Sequence, residues 1–305
     1  MSFLFRRALP ALLSPFLFSL TSLAADSPNA HPPANPRVRA ILADLAKVET
    51  VGQTSLSPDG KHLAWTERSH GTSSRIMVSD AHGEGAEQVN TGKECTATDP
   101  LWSPDSRALL FEGDCGKDGQ SDLFVTTLTG EPQQISHLKG YVAHPAWSPD
   151  SQRIAFLYVA GATRPAGALA AMKPPSGVIG VEGLEIQRVA AVSARGGSDV
   201  ELLTPENLHV YEFDWSPDSG KLAYVAAPPP GENNWWVAQL YTSPATPKAT
   251  PASIVDPRND PGSLHGLQIA VPRWSPDGRR IAFIEGLMSD VGFHGGDLFT
   301  IDAGL

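Results

Sequence analysis

The chain has 305 residues, 41% of them hydrophobic, which is enough apolar material for one large repeat domain or two ordinary domains. Its 28 glycines and 27 prolines favour a turn-rich, all-β fold over a helical one. A formal charge of −10, from 23 basic and 33 acidic residues, argues against nucleic acid or an anionic membrane surface as a partner.

The N-terminus has the pattern of a secretory signal peptide. Arg6-Arg7 precedes an apolar run from Ala8 to Leu20, and Ser22 and Ala24 are the small residues expected before a cleavage site after Ala24. Residues 1–24 are therefore predicted to direct export to the periplasm or the cell exterior. An uncleaved membrane anchor is the alternative, but two prolines interrupt the run and a membrane span needs roughly 20 apolar residues. We expect no membrane insertion after cleavage.

Two short segments follow the predicted signal peptide. Residues 25–37 are polar and rich in proline, which predicts a flexible linker. Apolar residues at positions 38, 41, 42, 45 and 48 are close to helical spacing. We therefore expect one short N-terminal helix over residues 38–50.

From residue 51 onward, the sequence repeats a motif that reads Trp-Ser-Pro-Asp-Gly or Trp-Ser-Pro-Asp-Ser, with Leu56 in place of tryptophan in the first copy, followed by a polar pair and a β-prone run. Serine opens a type I turn, proline presets φ at the second position, and aspartate suits the third, so each copy predicts strand, tight turn, strand. The five copies occupy residues 56–65, 102–111, 147–156, 215–224 and 274–283. Because the copies are equivalent, we interpret their aspartates as turn residues and their tryptophans as core residues.

The spacing of the copies predicts the architecture. The motif serines are separated by 46, 45, 68 and 59 residues, and a four-stranded propeller blade of the WD type repeats about every 40–50 residues. We therefore predict an all-β fold, a β-propeller of about five four-stranded antiparallel blades over residues 51–305. The longer intervals predict insertions at Gly161–Gly183, at Ala227–Asn234 and at Pro244–Gly266, which are either binding surface or flexible decoration.

The sequence also predicts later strands of the blades, and the fifth blade lacks a fourth strand of its own. Trp235–Tyr241 is β-prone and is predicted to be a strand of the fourth blade. Gly296–Asp302 matches the third strand of a fifth blade, and no fourth strand follows in the sequence. Residues 48–54 are a candidate for the missing strand. Otherwise the ring is expected to be incomplete, as in a fragment of a larger propeller.

Cys95 and Cys115 flank the second hairpin, whose turn spans Ser103–Ser106. Residues that face each other across a hairpin lie at nearly equal distances from its turn, so the two cysteines should meet at the open end. In an exported protein this predicts a disulfide, whereas a reducing compartment would leave two free thiols.

The sequence shows no pattern typical of a metal site or of a hydrolase active site. None of the nine histidines is spaced i, i+2 or i, i+4 from another, as metal ligands on a strand or helix would be. A nucleophilic serine of an α/β-hydrolase needs Gly-x-Ser-x-Gly, and the nearest segment is Gly119–Leu123, which lacks the second glycine. We therefore predict no catalytic, metal-binding or cofactor-binding residue and no cofactor.

The repeats resemble those of the Tol-system periplasmic propeller and, more closely, those of the N-terminal propeller of secreted prolyl oligopeptidase family serine peptidases of the acylaminoacyl and dipeptidyl type. The closer resemblance depends on the segments 44–60, 208–218 and 228–236. It implies a Ser-His-Asp α/β-hydrolase domain after a seven- or eight-bladed propeller that screens its active site. No catalytic residue of that family matches a position in this chain.

Two function hypotheses follow from the resemblance. In the first, the chain is the noncatalytic propeller portion of such a peptidase, which gates or orients peptide for a hydrolase domain that this chain does not contain. In the second, it is a free-standing exported propeller that binds a protein or peptide partner. An enzyme with its site in the propeller channel is a third class, which fold alone does not support.

Overall fold

The computed structural model describes residues 35–45, 47–69, 74–92, 95–116, 119–162, 184–229, 231–262, 264–288 and 295–303. The predicted signal peptide, nearly all of the predicted linker and residues 163–183 of the first predicted insertion lie outside this part of the chain. The protein divides into two units, Met1–Leu45 and Ala46–Leu305, and each is described by itself.

The first unit contains helix α1, Pro36–Leu45. Asn35 caps it, since its side-chain oxygen accepts the Arg37 N–H at 2.9 Å, and Pro36 takes the first helical position, where no donor is needed. The helix therefore begins before the predicted residue 38. It ends before residue 50 because Glu49 already belongs to a strand. No helix in the described residues has the length and apolar composition that crossing a membrane requires.

The second unit is all-β and consists of antiparallel blades in chain order, as the motif spacing predicts. Blade one contains β1 (Glu49–Leu56), β2 (His62–Ser69), β3 (Arg75–Asp80) and β4 (Glu87–Gln88). Blade two contains β5 (Thr96–Trp102), β6 (Leu109–Asp114), β7 (Asp122–Thr126) and β8 (Gln133–Gln134). Blade three contains β9 (Gly140–Trp147), β10 (Arg153–Ala160), β11 (Arg188–Ser193) and β12 (Glu201–Leu202).

The last two blades follow the same order, although the fifth has three strands in the described residues. Blade four contains β13 (His209–Trp215), β14 (Lys221–Ala227), β15 (Gln239–Pro244) and β16 (Ala252–Val255). Blade five contains β17 (Gln268–Trp274), β18 (Arg280–Gly286) and β19 (Asp297–Asp302). A 3₁₀ helix, Gly231–Val237, lies between β14 and β15.

Each Ser-Pro-Asp motif forms the turn between the first two strands of its blade. The serine hydroxyl donates to the aspartate carboxylate at 2.6–2.7 Å in all five copies. The same hydroxyl accepts the N–H of the residue five positions later at 2.8–2.9 Å. The residue after the aspartate has φ between 59° and 72°, a conformation that glycine adopts without strain and that the serines of the other three copies adopt at a cost. The five aspartates therefore act as turn residues.

The core consists of four clusters, each between two neighbouring blades. Leu157 and Tyr224 belong to the cluster between blades three and four, for example, and Val225 and Phe283 to the one between blades four and five. Strands such as β10 are buried along nearly their whole length because a blade covers each face. Stacking of neighbouring blades thus supplies most of the buried apolar surface.

Two of the four motif tryptophans donate an indole hydrogen bond to the preceding blade, whereas the Nε1 atoms of Trp102 and Trp274 are buried without a partner in the described residues. The indole N–H of Trp147 donates to the carbonyl of Leu101 in blade two at 3.1 Å, and that of Trp215 donates to the carbonyl of Ala146 in blade three at 3.4 Å. Both carbonyls belong to the residue before the preceding blade's own tryptophan. The interpretation of these residues as core positions agrees with this repeated contact.

Three local predictions were wrong. Residues 231–237 form the 3₁₀ helix, so the predicted strand at Trp235–Tyr241 starts only at Gln239. Residues 49–56 pair with β2 as the first strand of blade one and cannot also complete blade five. The predicted insertion at Pro244–Gly266 includes β16, the fourth strand of its blade, which pairs with β15.

Candidate functional site

The connections between strands separate into two ends of the blades, because successive antiparallel strands reverse direction. One end, here named the turn face, carries the Ser-Pro-Asp turns. The other end, the loop face, carries the connections from the second to the third strand and from each blade to the next. The long connections from β10 to β11, from β14 to β15 and from β16 to β17 all leave one strand and enter the next at the loop face. Binding residues on a rigid scaffold are most often found on such connections.

The first strand of each blade is interrupted by a bulge on its way between the two faces. Its pairing with the second strand shifts in all five blades, four positions before the motif serine in four of them and five positions before it in blade four. In four blades the residue four positions before the motif serine has a positive φ, and these residues are Gln53, Asp99, His144 and Val271. A non-glycine residue in this conformation is uncommon, and such bulges often redirect a side chain near a site.

Two concave sites lie between blades four and five: a wider, more polar one at the Ser-Pro-Asp turns and a smaller, more apolar crevice on the loop face. The crevice is the one whose lining suits an apolar ligand. It is lined by Tyr211, Glu212, Val225, Trp235, Ile269, Ala270 and Met288. The crevice is shallow and open to solvent, with room for about one water molecule between its walls. Most of its lining is apolar or aromatic with a single carboxylate, as is common in sites that bind small ligands or side chains.

Each wall of the crevice comes from a different local structure. Tyr211 and Glu212 lie at the bulge of β13, where pairing with β14 shifts between Val210 and Glu212. Glu212 also accepts the Val271 N–H at the bulge of β17, which joins the innermost strands of the two blades. Trp235 is supplied by the 3₁₀ helix. The crevice is therefore assembled by two strand bulges and one loop-face connection.

Buried polar groups lie next to the crevice on blade four. The His209 ring lies 5.2 Å from that of Tyr211, and its Nδ1 accepts the Gln187 N–H at 3.3 Å. Burial lowers the pKa of His209 to about 4. The Gln187 side chain donates to the Val210 carbonyl at 2.8 Å. His209 is therefore neutral at pH 7 and positions Tyr211 without charge.

Glu285 is a buried carboxylate between the same two blades. It is 1% exposed, and neither oxygen has a hydrogen-bond partner within the described part of the chain. It pairs directly across the sheet from Ile269, a crevice residue, so both side chains share one face. Burial, with a smaller contribution from Asp260, raises the pKa of Glu285 to about 7.

A second carboxylate is desolvated between blades two and three. Burial raises the pKa of Glu112 to about 8, and the charge of Asp99 adds to this shift. Burial raises the pKa of Tyr141 on β9, and the charges of Glu112 and Asp99 act in the same direction.

The two cysteines predicted to pair are joined as Cys95–Cys115, with Cα atoms 4.2 Å apart. They lie at the loop-face end of the hairpin formed by β5 and β6, as the turn position predicts. In the described residues no three His, Cys, Asp or Glu side chains gather as a metal site would require.

Sequence reasoning missed the crevice itself. Its signals were the Trp-Trp pair directly after a predicted insertion and the residues before a motif tryptophan, both of which were interpreted as strand.

No protein-family model matches the sequence. Among curated proteins, the chain is 28% identical over 116 residues to the uncharacterized peptidase YuxL of Bacillus subtilis (strain 168). That alignment covers 36% of this chain and 18% of the relative, so the chain spans only a small part of that protein's length.

The structure is similar to solved propeller proteins of several kinds. A TolB-like protein from Agrobacterium tumefaciens matches with a TM-score of 0.50 and 19% identity, over 83% of this chain and 81% of that one. The acylaminoacyl peptidase of Pyrococcus horikoshii matches with a TM-score of 0.56 and 11% identity, over 85% and 39%. An oligogalacturonate lyase from Vibrio parahaemolyticus matches with 0.53 and 16%, over 77% and 58%. The β-propeller fold is thus confirmed, and both resemblances drawn from the repeats have structural counterparts.

Proposed function

We propose that this chain is the noncatalytic propeller portion of a prolyl oligopeptidase family peptidase, exported from the cytoplasm, and that it binds and orients peptide at the loop face. The observation that carries the proposal is the local sequence match to a curated peptidase. A structural match to an acylaminoacyl peptidase over less than half of that protein is compatible with the same role. The hydrolase domain would then lie in polypeptide that this sequence does not include.

The crevice is the part of the surface best suited to a peptide. Trp235 and Tyr211 offer aromatic walls, Ile269 and Met288 offer aliphatic contact, and Glu212 provides one acceptor at the rim. Because the crevice is too small to enclose a phenylalanine or leucine side chain, such a side chain would cover its walls and contribute less than the roughly 1.5–3 kcal/mol of full burial. We infer that an apolar side chain of the peptide packs over the crevice while its backbone lies along the loop face.

A free-standing propeller that binds a protein partner is the second candidate. It is favoured by the TolB-like structure, because the match extends over four fifths of both chains. Both candidates use the loop face for binding. They differ in whether the partner is cleaved and in whether a hydrolase domain accompanies the propeller.

Fluorescence anisotropy with fluorescein-labelled decapeptides tests the peptide site. One peptide carries a central phenylalanine and the other a serine in its place. We expect the phenylalanine peptide to bind more tightly and Trp235→Ala to weaken it by about fivefold or more, since crevice anchors dominate such interfaces. Trp236→Ala is the matched control, because Trp236 is 54% exposed and does not line the crevice. Equal weakening by both substitutions would contradict the site.

The coding sequence downstream of this chain distinguishes the peptidase portion from the free-standing binder, and probe labelling tests whether the chain is noncatalytic. A Gly-x-Ser-x-Gly segment encoded downstream of the codon for Leu305 would support the peptidase portion. A stop codon there, with capture of one protein from a periplasmic extract, would support the free-standing binder. In either case we expect the purified chain to resist labelling by fluorophosphonate probes. Clear labelling would overturn the noncatalytic assignment.

A further inference from the structure

Blades three and four are joined at the turn face by a small set of polar contacts. The Trp215 indole N–H donates to a carbonyl of blade three at 3.4 Å, and the Asp150 N–H donates to the Ser219 hydroxyl at 3.1 Å. The Arg153 guanidinium lies 4.8 Å from the centre of the Trp215 ring. Its two terminal nitrogens donate to the carbonyls of Ser219 and Ala245 at 2.8 and 2.7 Å. A guanidinium of the protein itself thus covers the motif tryptophan of blade four.

The equivalent contacts are missing between blades four and five. The position of Arg153 is taken by Lys221, and no cationic side chain of the described residues lies over the Trp274 ring. The position of Ser219 is taken by Gly278, which has no hydroxyl to accept a hydrogen bond. The indole N–H of Trp274 is buried and has no partner in the described part of the chain. The motif tryptophan of blade five is therefore left without its guanidinium.

A cavity of about 200 Å³ lies at this place, and we name it the turn-face cavity. Its lining includes Trp274, Lys221, two prolines and the turn aspartates Asp218 and Asp277. Hydrogen bonds from the serine of each turn lower the pKa of both aspartates, so both are ionised at pH 7. The lining thus combines one aromatic ring with two carboxylates and one ammonium, and the whole chain has a formal charge of −10. This arrangement favours a cationic guest over an anionic one.

We propose that the turn-face cavity binds an arginine side chain supplied by a protein or peptide partner. The guanidinium would take the place over Trp274 that Arg153 takes over Trp215, where cation–π attraction stabilises it. It would donate to the Gly278 carbonyl as Arg153 does to the equivalent carbonyl of blade four. The two turn aspartates would balance its charge. The cavity lies at the opposite end of the blades from the crevice, so this inference does not rest on the peptide site there.

Arginine suits the turn-face cavity better than lysine does. A lysine ammonium is a compact, strongly hydrated charge that lacks the planar fork able to stack and donate at once. Lys221 does not cover the Trp274 ring in the structure, and its flexible stem allows it to move aside when a guest enters. A carboxylate guest would instead face two ionised aspartates. The arrangement around Arg153 one blade earlier shows which side chain fills such a gap.

NMR titration of the purified protein tests this site, with the indole N–H signal of Trp274 as the readout. The probes are three acetylated and amidated pentapeptides, Gly-Ser-X-Ser-Gly, in which X is arginine, lysine or citrulline, the neutral analogue of arginine. None of them carries an apolar side chain for the crevice. We expect the arginine peptide to shift the Trp274 signal saturably and to bind about fivefold or more tightly than either other peptide.

Two substitutions that close the turn-face cavity form the second part of the test. Lys221→Arg should place the protein's own guanidinium over Trp274, and Gly278→Ser restores the hydroxyl of the other turns. A Cβ at Gly278 comes no closer than 3.8 Å to Pro217, and its φ of 70° resembles that of three motif serines, so serine fits. Each substitution should weaken the arginine peptide about fivefold or more. Gly60→Ser, at the same turn position with a φ of 72° but outside the cavity, should leave binding unchanged.

Several results would overturn the proposal. Equal binding of the arginine and citrulline peptides would mean that charge is not recognised, and equal binding of the arginine and lysine peptides that the planar fork is not. The absence of a saturable shift at Trp274 would exclude the cavity as the site. Full binding by Lys221→Arg would also count against it, and Gly278→Ser carries the same comparison if that variant fails to fold. Trp235→Ala should have no effect, since weakening by it would assign the arginine to the crevice instead.

Discussion

The two terminal nitrogens of Arg153 donate to the carbonyls of Ala245 and Ser219 at 2.7 and 2.8 Å while its guanidinium covers the Trp215 ring. One side chain thus ties blade three to two loops and the core tryptophan of blade four. Lysine cannot reproduce a planar fork that stacks and donates at once. We expect Arg153→Lys to lower the free energy of unfolding by about 2 kcal/mol, measured by urea denaturation. Arg195→Lys, at an exposed position, is the control and should change stability little.

Leu240 and Leu298 occupy the same position in blades four and five but differ completely in burial. Leu240→Ala should destabilise the protein by about 2–5 kcal/mol, as for other buried leucines. Leu298→Ala should cost less than about 0.5 kcal/mol, because Leu298 is 73% exposed. Chemical denaturation of both variants checks this difference. A large effect of Leu298→Ala would mean that this side chain is covered in solution.

Ser151 has a φ of 59° at the position where two other turns have glycine. The equivalent Ser219 hydroxyl accepts the Asp150 N–H at 3.1 Å, whereas no such contact is found for the Ser151 hydroxyl in the described residues. We therefore expect Ser151→Gly to stabilise the protein by about 0.5–1 kcal/mol, because glycine relieves the left-handed backbone. Ser219→Ala should instead destabilise it. Thermal melts of the two variants should move in opposite directions.

Burial raises the pKa of Glu112 from 4.5 to about 8. The folded protein therefore holds this proton more tightly than the unfolded chain, so its contribution to stability is present below pH 4.5 and is lost as the pH rises toward 8. Glu112→Gln should raise the melting temperature at pH 8 and have little effect at pH 4. Glu84→Gln, at an exposed position, is the control. A gain of equal size at both pH values would contradict this assignment.

The disulfide between Cys95 and Cys115 closes the open end of the second hairpin, with a sequence separation of 20. A crosslink of this loop length stabilises a protein by on the order of 3 kcal/mol. Reduction should therefore lower the melting temperature of the oxidised chain. The double substitution Cys95→Ala and Cys115→Ala should give a similarly lowered value that no longer responds to reductant. Unchanged melting after reduction would mean that the crosslink adds no stability.

The hairpins were predictable because their determinants lie within a few residues of one another. Ser57 and Asp59 make a turn through their own hydrogen bond, and the same chemistry recurs in each blade. The crevice was not predictable in this way, since Trp235 and Ile269 approach only after blades four and five have stacked. The β-prone residues near Trp235 also favour a strand, and the connection from β14 to β15 overrides that local preference.

The predicted N-terminal helix shows that the sequence predicts the existence of an element better than its exact ends. Apolar spacing located it, and Asn35 and Pro36 set its start through a cap that the spacing does not report. Its predicted end at residue 50 failed because Glu49 and Thr50 pair with β2, a contact made far along the chain. Local signals therefore defined where the helix begins better than where it ends.

The indole hydrogen bonds and the four core clusters each join only blades that follow one another in sequence. Such an assembly behaves like a row of coupled units in which an interior unit has two stabilising neighbours and an end unit has one. Blade three should therefore retain its structure longest during unfolding, whereas blades one and five fray first. Proteolytic trimming would accordingly proceed inward from both ends, and its early products would be stacks that still contain blade three.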